Sequence, residues 1–182
     1  MGEKIKINAK ELLQRYAQGE RNFKDADLSN ENLAGVNLEG IILAFADLSS
    51  ANLSSANLKN ADLRFANLEH SDLDNADLSH ADLRGASFAH TNLKQTNLSY
   101  AKADADFRSA NLMGADLSGA DLSFASFNHA DLMNANLRNA KLSITYFIGA
   151  DLTNADFRGT KLKKEDFEGE EFEDAELIGV KI

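Results

Sequence analysis

Leucine and phenylalanine recur along this chain at every fifth position. They occupy position 23 and every fifth position to 98, then position 107 and every fifth position to 177, and all 31 of these positions hold Leu or Phe. Ala stands two positions earlier in 20 of them, and Asp or Asn stands one position earlier in 23. The unit is therefore Ala-Asp/Asn-Leu-x-x, and repetition of this kind predicts a repeat architecture.

A five-residue period fits neither a helix nor a strand. In an α-helix five residues advance by about 500°, so successive leucines would not share a face. In a strand the side chains alternate, so an odd period would put successive leucines on opposite faces. The pattern instead predicts a corner in every unit, which directs each Leu or Phe and each Ala into one common interior. That arrangement is a solenoid, and the Ser, Asn, Asp and Gly residues at the last two positions suit its turns.

The phenylalanines predict how many units make one coil. Phe107, Phe127, Phe147 and Phe167 stand at every fourth unit, and Phe88 precedes Phe107 by one residue less than four units. Four units per coil would stack these rings in one column, where offset aromatic contacts are favourable.

The repeat resembles that of the pentapeptide-repeat family, as in Ala26-Asp27-Leu28, Ala46-Asp47-Leu48 and Ala51-Asn52-Leu53. This resemblance covers residues 21–182. The resemblance implies an all-β solenoid, a right-handed quadrilateral parallel β-helix with four pentapeptides per coil. Counted over this chain, it implies about eight coils in a single domain.

Residues 1–20 are expected to form a cap over the first coil, with a short strand at residues 4–7 and a helix at residues 8–18. The signals for this helix are an N-cap at Asn8, a capping box completed by Glu11, a hydrophobic staple between Ile7 and Leu12, and Gly19 after the last turn. Residues 12–23 also resemble the cap that opens many cyanobacterial members of the family.

At the other end the repeat continues to the last residue, so no second cap is expected. Glu165 and Glu170 stand at the position of the inward Ala, and inward charge would discourage edge-to-edge pairing. An acidic end is formed by Glu165, Asp166, Glu168, Glu170, Glu171, Glu173, Asp174 and Glu176. It is either a solvated terminal coil or a docking end for a basic partner or another copy.

The frame slips once, at residues 101–104, where one residue is missing and Ala103 takes the central apolar position. Two interpretations stay open. The slip is a tolerated deletion at a corner, or a kink shaped for a partner.

Outward apolar residues give the candidate interaction surface. Phe45, Phe65, Phe124 and Ile144 take the last position of their units on one corner, and Tyr146 lies just beyond it. Gly85 and the missing residue should leave a gap halfway. An apolar row outside a rod suggests a contact surface, although the rings could instead lie flat on neighbouring coils and cover backbone.

Catalytic and metal chemistry are not expected. The Ser and Asp rows contain no nucleophile and base in a convergent arrangement. His70, His90 and His129 share a corner, and two imidazoles could hold a metal ion, but no set of four ligands is evident. The sequence therefore predicts no catalytic residues, no metal and no cofactor, and exposed turn histidines.

Composition and charge narrow the function further. A chain without Cys has no disulfide or thiolate chemistry, and a net charge of −10 argues against binding nucleic acid. No apolar run approaches a membrane span and no signal segment is evident, so a cytoplasmic protein is expected. The predicted function is a non-catalytic scaffold for an unidentified protein partner, with the chain a monomer or a weak end-to-end dimer. The resemblance also implies an alternative, an acidic DNA mimic that binds a type II topoisomerase such as gyrase.

Overall fold

The repeats stack as a solenoid of short parallel bridges in the computed structural model, which describes residues 5–182. A bridge joins the Asp or Asn position of one unit to that of the fourth unit on, as in Asn32 with Asn52 and Asn52 with Asp72. The amide of Leu53 donates to the Asp72 carbonyl at 2.7 Å, and the Asp72 amide donates to the Ala51 carbonyl at 2.9 Å. Each unit is thus one side and four units make a coil, as the phenylalanine spacing predicts.

The corners are tight turns that the last two residues of a unit form. The Ala56 amide donates to the Leu53 carbonyl at 3.0 Å, and Ser55, between them, has a φ of +56°. A positive φ at the second central residue is typical of a type II turn. The side chain of Asn52 accepts a bond from the Ser54 amide at 3.0 Å, which explains why Asp and Asn precede the leucine.

The interior is filled by the Leu/Phe and Ala positions, which are buried along the stack. Four phenylalanines form the predicted column. The ring centroids of Phe88 and Phe107 lie 5.0 Å apart, those of Phe107 and Phe127 4.8 Å apart, and those of Phe127 and Phe147 5.2 Å apart.

The N-terminal segment adds a strand and a helix to the first coil. Strand β1 (Ile5–Lys6) pairs in parallel with strand β2 (Ala26–Asp27), and helix α1 covers Ala9–Ala17. Lys4, the first residue of the predicted strand, lies outside the described residues. Leu12 is buried with Ile7, as a hydrophobic staple requires.

Only half of the predicted capping box forms. The Asn8 side chain accepts a bond from the Glu11 amide at 2.9 Å. The Glu11 carboxylate does not return a bond to Asn8; it accepts from Arg15 at 3.1 Å, because residues four apart on a helix are neighbours.

The frame slip shortens one corner and leaves the stack continuous. The bridges from Ser87–Asp106 to Lys102–Asp121 are one residue shorter than the regular step, which returns at Asp106–Ser126. Ala103 is buried in the central position as predicted.

The last coil departs from the prediction. Two 3₁₀ helices, Lys164–Glu168 and Glu170–Phe172, replace one side, and the final bridges, Asp151–Glu176 and Asp156–Lys181, step over five units instead of four. Phe172 therefore continues the column on Phe147, at 5.1 Å, while Phe167 packs edge-on to Phe157. The expectation that Phe167 stacks on Phe147 is wrong.

The inward placement of Glu165 and Glu170 is also wrong, because both side chains are exposed. The longer step aligns Ala175 with Ala150 in the small inward slot, whereas a regular step would bury a carboxylate there. Burial of an unpaired charge costs several kcal/mol, so the chain leaves the coil and rejoins it one unit later. Among residues 5–182, no helix has the length and apolar character to cross a membrane.

Candidate protein-binding surface

Five apolar side chains stand exposed along one corner of the solenoid and its adjoining side. We call Phe45, Phe65, Phe124 and Ile144 the corner ridge. They are 44%, 56%, 58% and 54% exposed, and Tyr146 beside them is 40% exposed. The structure thus places all the candidate residues on the outside, in the row that the four-unit spacing predicts.

The backbone beneath the ridge is in the left-handed region. The φ values are +62° at Phe45, +57° at Phe65, +68° at Phe124 and +56° at Ile144. Many other corners place Gly, Asn or Ser at this position, and Gly and Asn adopt it at lower cost than a bulky or β-branched side chain. The ridge residues are therefore held in a conformation that their own side chains disfavour.

The first half of the ridge is a stacked aromatic pair. The rings of Phe45 and Phe65 lie 4.9 Å apart, and the ammonium of Lys24 stands 5.2 Å from the centre of the Phe45 ring. The Phe65 ring extends over Gly85, where a Cβ would come within 2.5 Å of its Cδ1 atom. Phe65 therefore packs between the Phe45 ring and the backbone at Gly85, and more than half of its surface is still exposed.

A shallow hollow separates the two halves of the ridge at the frame slip. Its volume is about 260 Å³, and its walls include Gly85, Ala105 and Phe124. The deleted residue thus produces the predicted gap, with Phe124 on its far side.

Two arginine–aspartate pairs run beside the aromatic pair. Arg64 bonds Asp62 at 2.7 Å and Arg84 bonds Asp82 at 2.6 Å. Hydrogen bonds from Arg64 lower the pKa of Asp62 below its ordinary value. At Asp82 partial burial raises the pKa, but the bonds from Arg84 outweigh it and the net pKa is also lowered. Each guanidinium therefore stays paired with an ionised carboxylate, and the flank of the ridge carries both charges.

The acidic end is separate from the aromatic pair and is solvated. Six of its eight carboxylates belong to residues in the two 3₁₀ helices or directly after them, and Glu165, Asp166 and Glu173 among them are exposed. Asp166 accepts a bond from the Lys163 amide at 2.7 Å, and Glu165 lies 3.7 Å from the Lys163 ammonium. These contacts order the 3₁₀ segment locally.

The histidines form stacks of rings at the corners. The His70 and His90 rings lie 5.1 Å apart and nearly parallel, and His129 covers Gly149. Within residues 5–182 no group of three or more His, Cys, Asp or Glu could hold a metal ion.

One exposed aromatic residue was not predicted. Tyr100 stacks on His80 at 5.2 Å and is 61% exposed on another corner. The four-unit spacing of His80 and Tyr100 was the signal for it.

Comparisons with known proteins identify the family of this chain. The pentapeptide-repeat family, with eight copies of the repeat, matches residues 22–60, 61–99, 103–139 and 130–169. No curated protein matches the chain significantly.

Solved structures of similar proteins include a trypsin-treated variant of QnrB1, a plasmid-mediated fluoroquinolone resistance protein. It is 24% identical, with 89% of this chain and 85% of that chain covered and a TM-score of 0.62, a likeness of fold alone. HetL, involved in heterocyst differentiation regulation in Nostoc sp. strain PCC 7120, is 30% identical over 96% of this chain and 94% of its own, with a TM-score of 0.28. Rfr23 from Cyanothece 51142 is 24% identical over 95% of both chains, with a TM-score of 0.30. The family match spans most of the chain, and the protein therefore belongs to the pentapeptide-repeat family.

Proposed function

We propose that this protein is a non-catalytic binding module that contacts a protein partner through the corner ridge. In this proposal the rod is a right-handed quadrilateral β-helix of about eight coils, with residues 1–20 as a cap on the first coil and residues 21–182 as the repeat. The supporting observation is the row of exposed apolar side chains in left-handed backbone conformations. Gly, Asn and Ser hold the same corner conformation elsewhere in the stack, so the turn itself does not require large apolar side chains here, and an exposed apolar row is typical of a contact surface.

The surroundings of the ridge support a protein partner. Aromatic residues and arginine are enriched at the energetic centres of protein interfaces, and here Phe45 and Phe65 lie beside Arg64 and Arg84. The rigid stack presents these groups at the ~4.8 Å spacing of neighbouring strands. A partner would therefore meet a preformed surface and lose little affinity to ordering it.

The test is a quantitative comparison of partner recovery from native lysate. The four ridge residues are replaced together by Ser, and Tyr100→Ser serves as the matched control, since Tyr100 is similarly exposed at an equivalent corner position. We expect the ridge variant to lose partners that the wild type and the control both retain. Equal recovery by all three proteins would contradict a role for the ridge.

A DNA mimic that binds a type II topoisomerase is the second candidate, and the net charge of −10 favours it. The guanidinium groups of Arg64 and Arg84 on one side of the rod, and of Arg108 on the next side, interrupt the acidic surface. We therefore rank this function second. Dose-dependent loss of gyrase supercoiling at low micromolar protein would promote it over the scaffold.

A further inference from the structure

One side of the solenoid near the C-terminal end has a free backbone edge. The amides of Leu142, Ser143, Ile144 and Thr145 find no hydrogen-bond acceptor within residues 5–182. In the coil before, all four equivalent amides are bonded. Leu122 donates to the Lys141 carbonyl at 2.9 Å, Phe124 to the Ser143 carbonyl at 2.9 Å, Ala125 to the Leu122 carbonyl at 3.0 Å, and Ser123 to Asp121 Oδ1 at 3.3 Å.

The free edge exists because the chain leaves the coil before it can cover this side. The segment that a regular step would place over residues 141–145 lies apart, and two hollows remain between them. Their volumes are about 440 Å³ and about 380 Å³, and Leu142 and Leu162 line both. Hollows of this size fall within the range of roughly 300–1,000 Å³ that is common for ligand sites.

The charges explain why the protein's own segment does not cover the edge. In a regular step Lys161 would lie directly over Lys141, and Glu165 would enter the inward slot over Thr145. Like charges on facing positions of adjacent strands are destabilising, and a buried carboxylate is costly. A strand with a small residue, then an acidic residue, then leucine would avoid both conflicts.

We propose that this free edge binds an extended peptide segment of a partner protein with the pattern small–Asp–Leu. The peptide runs parallel to residues 141–145, accepts bonds from the Leu142 and Ile144 amides as the following coil does from Leu122 and Phe124, and places its leucine between Leu142 and Leu162. Its aspartate meets Lys141 and Lys161, which both line the larger hollow. Strand addition of this kind draws affinity from the main chain and specificity from alternate side chains.

The neighbouring coil shows that this geometry is available. Asp121 and Lys141 sit on adjacent coils at equivalent positions, and their side chains form an ion pair at 3.2 Å. The described bridges of the solenoid are parallel, so an added strand of the same pattern extends the existing register. This site goes beyond the proposed function, and it meets the ridge only at Ile144.

The probe is a synthetic peptide with the sequence of residues 118–127, blocked at both ends, which contains Ala-Asp-Leu. Binding is measured by titration calorimetry with the full chain, and amide exchange is followed by NMR. We expect the exchange of the Leu142 and Ile144 amides to slow at least tenfold at saturation, because their equivalents Leu122 and Phe124 are the amides that bond to the next coil. A peptide with Lys in place of its Asp should bind at least fivefold more weakly.

Two charge reversals locate the site. Lys161→Glu should weaken peptide binding at least fivefold, while Lys181→Glu, an exposed lysine on another side of the same end, should leave it unchanged. Absence of binding at millimolar peptide, or binding without protection of the Leu142 and Ile144 amides, overturns the proposal. Concentration-dependent dimers that protect these amides without peptide also overturn it, because the occupant is then a second copy. If the peptide does not bind but the ridge variant still loses its partners, the peptide site is wrong and the proposed function stands.

Discussion

The fifth residue of each unit decides how much strain a corner holds. Its φ is near +60° at almost every described corner, a conformation that costs an ordinary L-residue about 1–2 kcal/mol. Gly has no Cβ to clash, and Asn and Asp tolerate it through local hydrogen bonds. Ile144, which is β-branched, is the least suited of the ridge residues.

We expect Ile144→Asn to raise the free energy of unfolding by about 1 kcal/mol, because strain is relieved and little burial is lost. Asn139→Ile is the matched control and should lower it by a similar amount. Urea unfolding followed by circular dichroism measures both. A destabilised Ile144→Asn protein would show that the side chain contributes more to packing than its exposure indicates.

Gly85 and Gly35 separate conformational strain from steric conflict. Both have a positive φ, but a Cβ on Gly35 would meet nothing within 4 Å, whereas one on Gly85 would meet the Phe65 ring. Gly35→Ala should cost about 1 kcal/mol, and Gly85→Ala about 2–3 kcal/mol. Adding Phe65→Ala to Gly85→Ala should remove the difference, and a strictly additive double-mutant cycle would contradict the contact.

At the scale of elements, the five-residue rhythm predicts the sides of the solenoid but not where a coil is lengthened. A step of four units and a step of five units both keep Leu and Phe inside, because each moves the chain by whole units. The choice depends on which residues enter the small inward slot. The sequence places Glu165 and Glu170 in the inward slot, but it does not show that the backbone leaves the coil so that both carboxylates stay exposed.

Removing the two carboxylates should restore the regular step. In the Glu165→Ala, Glu170→Ala double variant we expect Phe147 to show ring contacts to Phe167 in place of Phe172, measured as nuclear Overhauser effects. Glu168→Ala with Glu173→Ala is the control, since these residues do not occupy the inward slot. Persistence of the Phe147–Phe172 contact in the first variant would exclude carboxylate burial as the cause.

The N-terminal helix was predictable because its signals are local. Asn8 caps it and Gly19, with a φ of +95°, follows its last turn. The role of Glu11 was not predictable, because an N-cap bond and a bond to Arg15 compete for one carboxylate. Side-chain pairing of this kind is decided by geometry that the sequence does not contain.

For the whole molecule, arginine–aspartate pairs make stability depend on acidity. Four such pairs join the second and fourth positions of a unit: Arg64–Asp62, Arg84–Asp82, Arg108–Asp106 and Arg158–Asp156. The pKa of each aspartate is lowered, that of Asp156 to about 2 by its bonds from Arg158. A lowered folded-state pKa stabilises the protein above the unfolded value of about 3.9, and this stabilisation is lost as pH falls toward the folded value.

We therefore expect the urea midpoint to be flat between pH 7 and about 5 and to fall between about pH 4 and 2. Because the pairs are largely solvent-exposed, each should contribute no more than about 1 kcal/mol. Asp156→Asn keeps a side-chain oxygen that can accept the bond of the turn. The urea midpoint of this variant should fall less steeply between about pH 4 and 2. An unchanged acid profile in that variant would mean that the Arg158 pair contributes nothing.

The sequence predicted the corner ridge because its alignment depends only on the repeat and the frame slip. It did not predict the free amides of residues 142–145. That edge forms because the chain leaves the coil near residue 160, and the five-residue spacing does not predict this departure. The spacing of residues thus predicts the regular features of the molecule, whereas the irregular last coil depends on packing that the spacing does not describe.

Residue-resolved amide exchange by NMR tests most directly whether the five-residue rhythm builds one continuous stack. We predict strong protection of the central Leu and Phe amides from residue 28 to residue 157, uninterrupted across the frame slip, with Leu142 the one exception among them. Protection with a helical period, or loss of protection at the bonded amides of Lys102, Ala103 and Asp106, would contradict it.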